Sequence, residues 1–260
     1  MISVVIRNKN QDKALEFLLR NLNERYIDDI DEIIVLDNVS TDQSRAITEK
    51  YNCKFITIEN FTYGGSANLA AKSAKNDIVV IFSAHSFPVS HDFFKLIKEK
   101  FEGRETELAG LRCLHNINDY SAYINNISSV SDYNRAGVIF AGSAFNKKIW
   151  KKHPFKSDIT TFEDKEWTKR VVAEGYKVEF VASIFCYQIN RNKKQNFFRF
   201  QNEVIGSYQL HHSHYTIFKS FKGFLHSGFK TTLNYAIDIF YVFKRFLFMI
   251  KFLTNKPNRY

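Results

Sequence analysis

Glu163 and Asp164 are adjacent carboxylates at the head of an amphipathic stretch, and they form the pair in this chain best suited to general-base work. If both side chains enter one site, their mutual repulsion raises the pKa of one of them. The plainer use of such acids is to stabilise a helix N-terminus, worth about 0.3–1 kcal/mol. A second set of polar residues follows three short apolar runs: Arg7-Asn8-Lys9-Asn10-Gln11, Asp37-Asn38-Val39-Ser40-Thr41-Asp42 and Ser83-Ala84-His85-Ser86. Asp37 could accept a ribose hydroxyl, or Asp37 and Ser40 could shape a turn while Asp42 caps the next helix. Tyr63-Gly64-Gly65 stands ahead of a helical pattern, where free N–H groups and the positive end of a helix dipole favour an anion; an ordinary turn is the alternative.

These residues gain meaning from the elements that must carry them. Short apolar runs alternate with amphipathic stretches, the pattern of β-α-β units and a mainly parallel sheet. Strands are predicted at 2–6, 32–36, 54–58 and 77–82, with helices over about 13–26, 42–51 and 65–74. A further strand is predicted at 108–114, followed by a polar, Asn- and Ser-rich excursion over 117–135 without clear period. Order resumes at 137–145, then a helix over 163–174 closed by Gly175 and a strand at 177–185. In such a sheet ligands bind beyond the carboxyl ends of the strands, where the polar residues fall.

The formal charge of +10 is unevenly spread. Residues 1–190 carry 25 Lys+Arg against 25 Asp+Glu, whereas residues 191–260 carry 12 against two and hold 12 of the 26 Phe. Basic residues mixed with bulky rings suit an anionic lipid boundary better than a nucleic-acid groove, so the tail is expected at a membrane surface and no nucleic-acid partner is expected. Ala236, Phe240, Phe243, Leu247 and Ile250 fall on one side of a helix, with Asp238, Lys244, Arg245 and Lys251 on the other. These charges interrupt the run well short of the roughly 20 apolar residues of a spanning helix. The same face could instead pack on the N-terminal domain. Cys53, Cys113 and Cys186 match neither a disulfide framework nor a zinc pattern and are expected as buried thiols in a reducing compartment. The chain opens on the strand-like Ile2-Ser3-Val4-Val5-Ile6, so no signal peptide is expected.

An NAD enzyme is disfavoured because the first strand lacks the glycine fingerprint that lets a backbone approach a pyrophosphate. A nucleotidyltransferase is disfavoured by the absence of a glycine- and arginine-rich phosphate loop there. In order and spacing, several segments resemble the inverting glycosyltransferases of family 2, which have the GT-A fold. They are Val4-Val5-Ile6-Arg7-Asn8-Lys9-Asn10, Ile33-Ile34-Val35-Leu36-Asp37-Asn38-Val39-Ser40-Thr41-Asp42 and Tyr63-Gly64-Gly65-Ser66-Ala67-Asn68-Leu69-Ala70, continuing with Ile81 to Pro88, Phe140 to Ala144 and Phe162 to Trp167. The resemblance covers roughly residues 1–190, expected as a GT-A catalytic domain (α/β, Rossmann-like, sheet flanked by helices), with residues 191–260 as a helical, membrane-surface tail.

The resemblance implies a donor nucleotide over the strand ends, with Asp37 near the base or ribose and Arg7, Ser40, Tyr63, Gly64, Gly65, Asn68, Ser83 and Ala84 around it. It implies Asp164 as the base and Glu163 as the residue that orients the acceptor or tunes Asp164. Where the family carries an Asp-X-Asp signature for a divalent ion, this chain has Ser83-Ala84-His85. Either His85 ligates Mn²⁺ or, less suitably, Mg²⁺ through a neutral nitrogen, or His85 and nearby cations meet the diphosphate directly, or His85 is structural. Gln188 stands where the family often has a further metal-binding His. Trp150 and Trp167 are expected in the core. The expected activity is inverting transfer from a nucleoside-diphosphate sugar, UDP favoured, to a saccharide or lipid-linked acceptor. The resemblance also implies bacterial surface-polysaccharide assembly by a cytoplasmic enzyme peripheral to the inner face of the membrane. A non-catalytic GT-A-like binding or scaffold subunit is the alternative.

Overall fold

The structure is a computed structural model that describes residues 1–189 and 191–258. In chain order its elements are β1 (Ile2–Asn8), α1 (Asp12–Arg25), β2 (Glu32–Asp37), α2 (Ser44–Lys50), β3 (Lys54–Thr57), α3 (Tyr63–Ser73), β4 (Ile78–Ser83) and β5 (Ser86–Pro88). There follow α4 (Phe93–Phe101), β6 (Leu108–Leu114), α5 (Ile117–Ile124), α6 (Tyr133–Ala136), β7 (Gly142–Asn146), α7 (Lys147–Lys152), α8 (Glu163–Ala173), β8 (Lys177–Tyr187), α9 (Lys193–His211) and α10 (Ile217–Thr254).

Eight strands form one sheet in the order β3-β2-β1-β4-β7-β6-β8-β5. The first four strands run parallel, as the alternating pattern predicts. The second half is mixed, because β7 is antiparallel to both β4 and β6, and β5 is antiparallel to β8. Strand alternation sends Ile2, Val4 and Ile6 to one face, against Leu15, Leu18, Leu19 and Leu22 of α1 and Phe93, Phe94 and Ile97 of α4. Val5 faces the other layer, with Ala67, Ala70 and Ala71 of α3 and Trp167 of α8. The leucine spacing in α1 is the apolar stripe of a one-sided helix, and the alanines of α3 allow close packing on the sheet.

Register places the polar strand ends side by side. Arg7 pairs with Leu36 on one flank and Ser83 on the other, and Asn8 lies opposite Asp37. Helix α3 is started by Thr62, whose Oγ1 accepts the Gly65 N–H at 2.9 Å. Gly175 lies just past α8 with φ +89°, the left-handed position that glycine occupies at least cost.

Three expectations change. The excursion over 117–135 contains α5 and α6, each started by a side-chain cap: Asn116 Oδ1 accepts from Asn118 and Asp119, and Asp132 Oδ1 from Asn134 and Arg135. Both helices are too short for a periodic pattern to register. Of the cysteines, only Cys113 is buried, Cys53 is partly covered and Cys186 is exposed. Asn190, where the charge step was drawn, lies outside the described residues, and the compact unit built on the sheet runs from Met1 to His211. Helix α9 belongs to that unit. Leu210 is buried, Gly206 leaves no room for a Cβ beside Thr161 and Phe162, and the Thr160 N–H donates to Gln209 Oε1 at 3.0 Å.

The second unit, His212–Tyr260, contains the 38-residue α10, started by the Thr216 hydroxyl, which accepts the Lys219 N–H. Among the described residues no helix is long and apolar enough to cross a membrane.

Candidate active site

Two polar corners meet at the end of β1. On one face, Asn8 donates through Nδ2 to Asp37 Oδ2 at 2.8 Å, to Ser44 Oγ at 2.8 Å and to Ser40 Oγ at 3.3 Å. Asp37 is 2% exposed, and its other oxygen accepts the Ser40 N–H at 2.7 Å. Ser40 Oγ in turn accepts the Asn10 N–H. The loop between Asp37 and Ser40 is held in a tight bend, with Val39 at φ 49°. A β-branched residue is rarely found at positive φ. Asp42 accepts from the Ser44 hydroxyl and from the Asp12 N–H, which ties the starts of α1 and α2 together.

On the other face, Arg7 reaches across the sheet. Its Nη1 lies 3.1 Å from Glu163 Oε1 and 3.4 Å from Ser66 Oγ, and Nη2 donates to the Phe140 carbonyl at 2.6 Å. The guanidinium also lies 5.6 Å from the Tyr63 ring centroid. Glu163 is 4% exposed, and its pKa is raised above the usual 4.5 by burial first and by neighbouring Asp164 second, against the opposing pull of Arg7. Desolvation therefore wins over the ion pair. Asp164 accepts the Phe140 N–H through Oδ2 at 3.3 Å and the Lys165 N–H through Oδ1 at 2.7 Å. Phe162, just ahead of this pair, has φ 68°, a strained conformation at the point where α8 presents its two acids.

Lys165 turns inward and donates to the Gly137 carbonyl, which also accepts from Arg112 Nη1. Burial lowers the Lys165 pKa to about 8, with Arg112 adding to the effect. Arg112 is paired with buried Asp119 at 2.7 Å, and Asp119 also bonds the His115 ring. This second charged cluster lies directly behind the start of α8.

Ser83 and Ala84 stand at the end of β4. Ser86 Oγ bridges the Ser83 N–H and carbonyl, and the Ala84 N–H donates to the Arg7 carbonyl. His85 Nδ1 lies 2.7 Å from Gln11 Oε1, so the proton sits on Nδ1 and Nε2 keeps its lone pair. Nε2 is buried with no partner among the described residues. Burial, followed by the charges of Arg191 and Arg7, lowers the His85 pKa to about 4, so the ring is neutral at neutral pH. A neutral imidazole with a fixed tautomer and an orphaned acceptor fits one ligand of a divalent ion. Among the described residues no group of three His, Cys, Asp or Glu could enclose an ion.

Other predicted site residues are occupied within the protein. Asn68 donates to the Phe155 carbonyl at 2.8 Å and accepts from Trp150 Nε1 and the Phe155 N–H, fastening the loop after α7 to α3. A Cβ at Gly64 would lie 1.9 Å from the Lys156 carbonyl oxygen, so this glycine is required for close packing of that loop. Of the helix-start N–H groups, that of Gly65 is taken by Thr62. Trp150 and Trp167 are core residues, 7% and 0% exposed. A recess of about 320 Å³ between α1 and β5 contains none of the strand-end groups.

The structure adds Gln11, Ser66, the Phe140 backbone, Lys165, Tyr187 and Arg191. Gln11 and Tyr187 follow or end strands, so the strand-end rule pointed at them, but their pairing with His85 crosses the sheet. The Tyr187 ring meets the His85 ring edge-on at 4.8 Å and its hydroxyl accepts from Arg191 Nη2 at 2.9 Å.

Residues 3–123 match the family model described as Glycosyl transferase family 2. A curated relative from Methanococcus voltae is 26% identical, over 76% of this chain and 70% of its own length. Its name is dolichyl N-acetyl-alpha-D-glucosaminyl phosphate 3-beta-D-2,3-diacetamido-2,3-dideoxy-beta-D-glucuronosyltransferase. Among solved structures, the mannosyltransferase PcManGT from Pyrobaculum calidifontis, in complex with GDP-Man and Mn²⁺, superposes with a TM-score of 0.65 at 16% identity, over 87% of this chain and 68% of that one. Glucosyl-3-phosphoglycerate synthase from Mycobacterium tuberculosis, in complex with Mn²⁺ and UDP-glucose, gives 0.59 at 13% identity, over 78% and 75%. The matched segment supplies β1, β2, α3, β4 and their polar ends, and the GT-A fold shared with these solved structures brings Glu163 and Asp164 to them from outside it, so the chain has the GT-A fold and its first half is similar to family 2 glycosyltransferases.

Proposed function

We propose that the chain transfers a sugar, with inversion, from a nucleoside-diphosphate sugar to a saccharide or lipid-linked acceptor. The observation that carries this reading is the junction of Arg7, Glu163, Asp164 and the Phe140 backbone at the ends of β1 and α8. Asp164 is the base. Its two oxygens each accept one backbone N–H, which fixes the carboxylate and leaves a lone pair on each oxygen for the acceptor. The acceptor oxygen attacks the anomeric carbon in line, its proton passes to Asp164, and the bond from that carbon to the diphosphate breaks. Arg7 fixes Glu163, and Glu163 orients the acceptor beside Asp164.

The nucleotide lies over the Asp37–Ser40 bend, with Tyr63 and the start of α3 on its other side. UDP is the favoured carrier. His85 Nε2 would hold a divalent ion together with the diphosphate, Mn²⁺ suiting a nitrogen ligand better than Mg²⁺, and such an ion stabilises charge on the departing diphosphate. A scaffold without activity would have no need to keep a carboxylate and a guanidinium shielded from water together beside a second carboxylate. The named substrate of the Methanococcus voltae relative is linked to dolichyl phosphate, which supports a lipid-linked acceptor. Bacterial surface-polysaccharide assembly at the inner face of the membrane is the proposed setting.

Asp164→Asn is expected to lower transfer by about 10²–10⁴-fold while thermal-shift binding of the donor is retained. A variant transferring at the wild-type rate would remove Asp164 from the base role. The aromatic, basic α10 is proposed to lie in the membrane surface. Removal of residues after His211, which spares the packed α9, is expected to abolish sedimentation with vesicles containing anionic lipid. Undiminished binding of this shortened chain would contradict the assignment.

A further inference from the structure

We propose that Arg191 is the fixed cation that grips the diphosphate of the donor, a role that rests on the glycosyl-transfer reading above. A departing diphosphate gains negative charge, and preorganised donors aimed at that charge act most strongly where water is excluded. The cations around the strand ends are not equivalent in this respect. Arg7 is held by Glu163 and the Phe140 carbonyl, and Lys165 is held by the Gly137 carbonyl. Arg112 is paired with Asp119. Arg191 donates to the Tyr187 hydroxyl and, among the described residues, has no carboxylate partner.

Tyr187 ties Arg191 to the place where a diphosphate is expected. It ends β8 opposite Ser86, its ring meets His85 edge-on, and the Gln188 N–H next to it donates to the His85 carbonyl at 3.0 Å. The charge of Arg191 acts on both His85 and Tyr63, so the guanidinium lies within electrostatic reach of the residue after β4 and of the start of α3. A guanidinium presents a planar fork of N–H groups matched to phosphate oxygens, which an ammonium lacks.

The arrangement also accounts for the residue type at position 85. A carboxylate there, within reach of Arg191, would pair with the guanidinium and compete with the diphosphate for it. The neutral imidazole of His85 leaves the guanidinium available. The neutral ring at position 85 and the guanidinium at position 191 thus act together on one ligand.

The test uses the full chain and whichever of UDP, dTDP and GDP the wild type binds, with the matching nucleoside as control, by calorimetry in EDTA and again in Mn²⁺. Arg191→Ala is expected to weaken the nucleoside diphosphate at least tenfold in EDTA while leaving nucleoside affinity unchanged, which also shows that the variant is folded. Arg191→Lys should recover only part of the loss, and Tyr187→Phe should give a smaller loss, because only the orienting hydroxyl is removed. Equal affinity of wild type and Arg191→Ala for the diphosphate would overturn the role of Arg191 and leave the transfer reading intact. A wild-type chain that binds none of the three diphosphates would overturn both.

Discussion

Arg7 and Asn8 are consecutive residues of β1, yet strand alternation turns them to opposite faces and the two corners they form are built on different physics. The Asn8 corner is a network of short hydrogen bonds to Asp37, Ser40 and Ser44 that sets the shape of a loop. The Arg7 corner buries a guanidinium and a carboxylate, with side chains 11% and 5% exposed, and sets Asp164 beside them. Hydrogen bonds in the first corner stabilise one conformation. In the second, burial raises the energy of the charged state of Glu163, and the ion pair only partly offsets it. Chemistry is expected where charge is held under such tension, and loop shape where polar groups satisfy one another.

The largest effect expected from breaking this contrast comes from Arg7→Ala. It leaves Glu163 buried beside Asp164 without a counter-charge, a change that costs about 3–5 kcal/mol. Asn8→Ala removes one side of an uncharged-to-charged network and is expected to cost about 1–3 kcal/mol. Urea unfolding of the two variants at neutral pH measures both, and equal losses would show that the corners are energetically alike.

A smaller effect sharpens the comparison through pH. The Glu163 pKa is raised in the folded chain, so the folded state holds this proton more firmly than the unfolded state. Its contribution to stability is fully present below the ordinary pKa of 4.5 and is lost as pH rises through the folded value. Glu163→Gln removes that loss, so its stability relative to wild type should climb as pH rises above 4.5. Parallel pH profiles for the two proteins would assign the raised pKa to another group.

Much of the first half of the fold was legible because its signals are local. The apolar runs at 2–6 and 32–36, the leucine spacing of α1 and Gly175 after α8 each depend on neighbours a few residues away, and all lie as read. The short helices α5 and α6 were not legible, since side-chain caps at Asn116 and Asp132 establish them where hydrophobic period is too brief to register. Helix α9 was assigned to the tail on charge, whereas packing of Gly206 and Leu210 makes it part of the first unit.

The sequence by itself determined the resemblance of the first half to a family, the order of the polar strand ends and the types of the reactive groups, because these are properties of residue identity and spacing. It could not decide which groups face one another. Arg7 and Glu163 are 156 positions apart, and His85 and Gln11 are 74 apart. Only the tertiary structure joins them, and with that joining it decides burial, hence which acid carries a raised pKa and which histidine nitrogen keeps its lone pair. Asn68 and Gly64 illustrate the same limit, since both stand in a segment read as ligand-facing and both are used to hold the loop after α7. A side chain's chemistry is local, but its desolvation and its partners are set by segments far away along the chain.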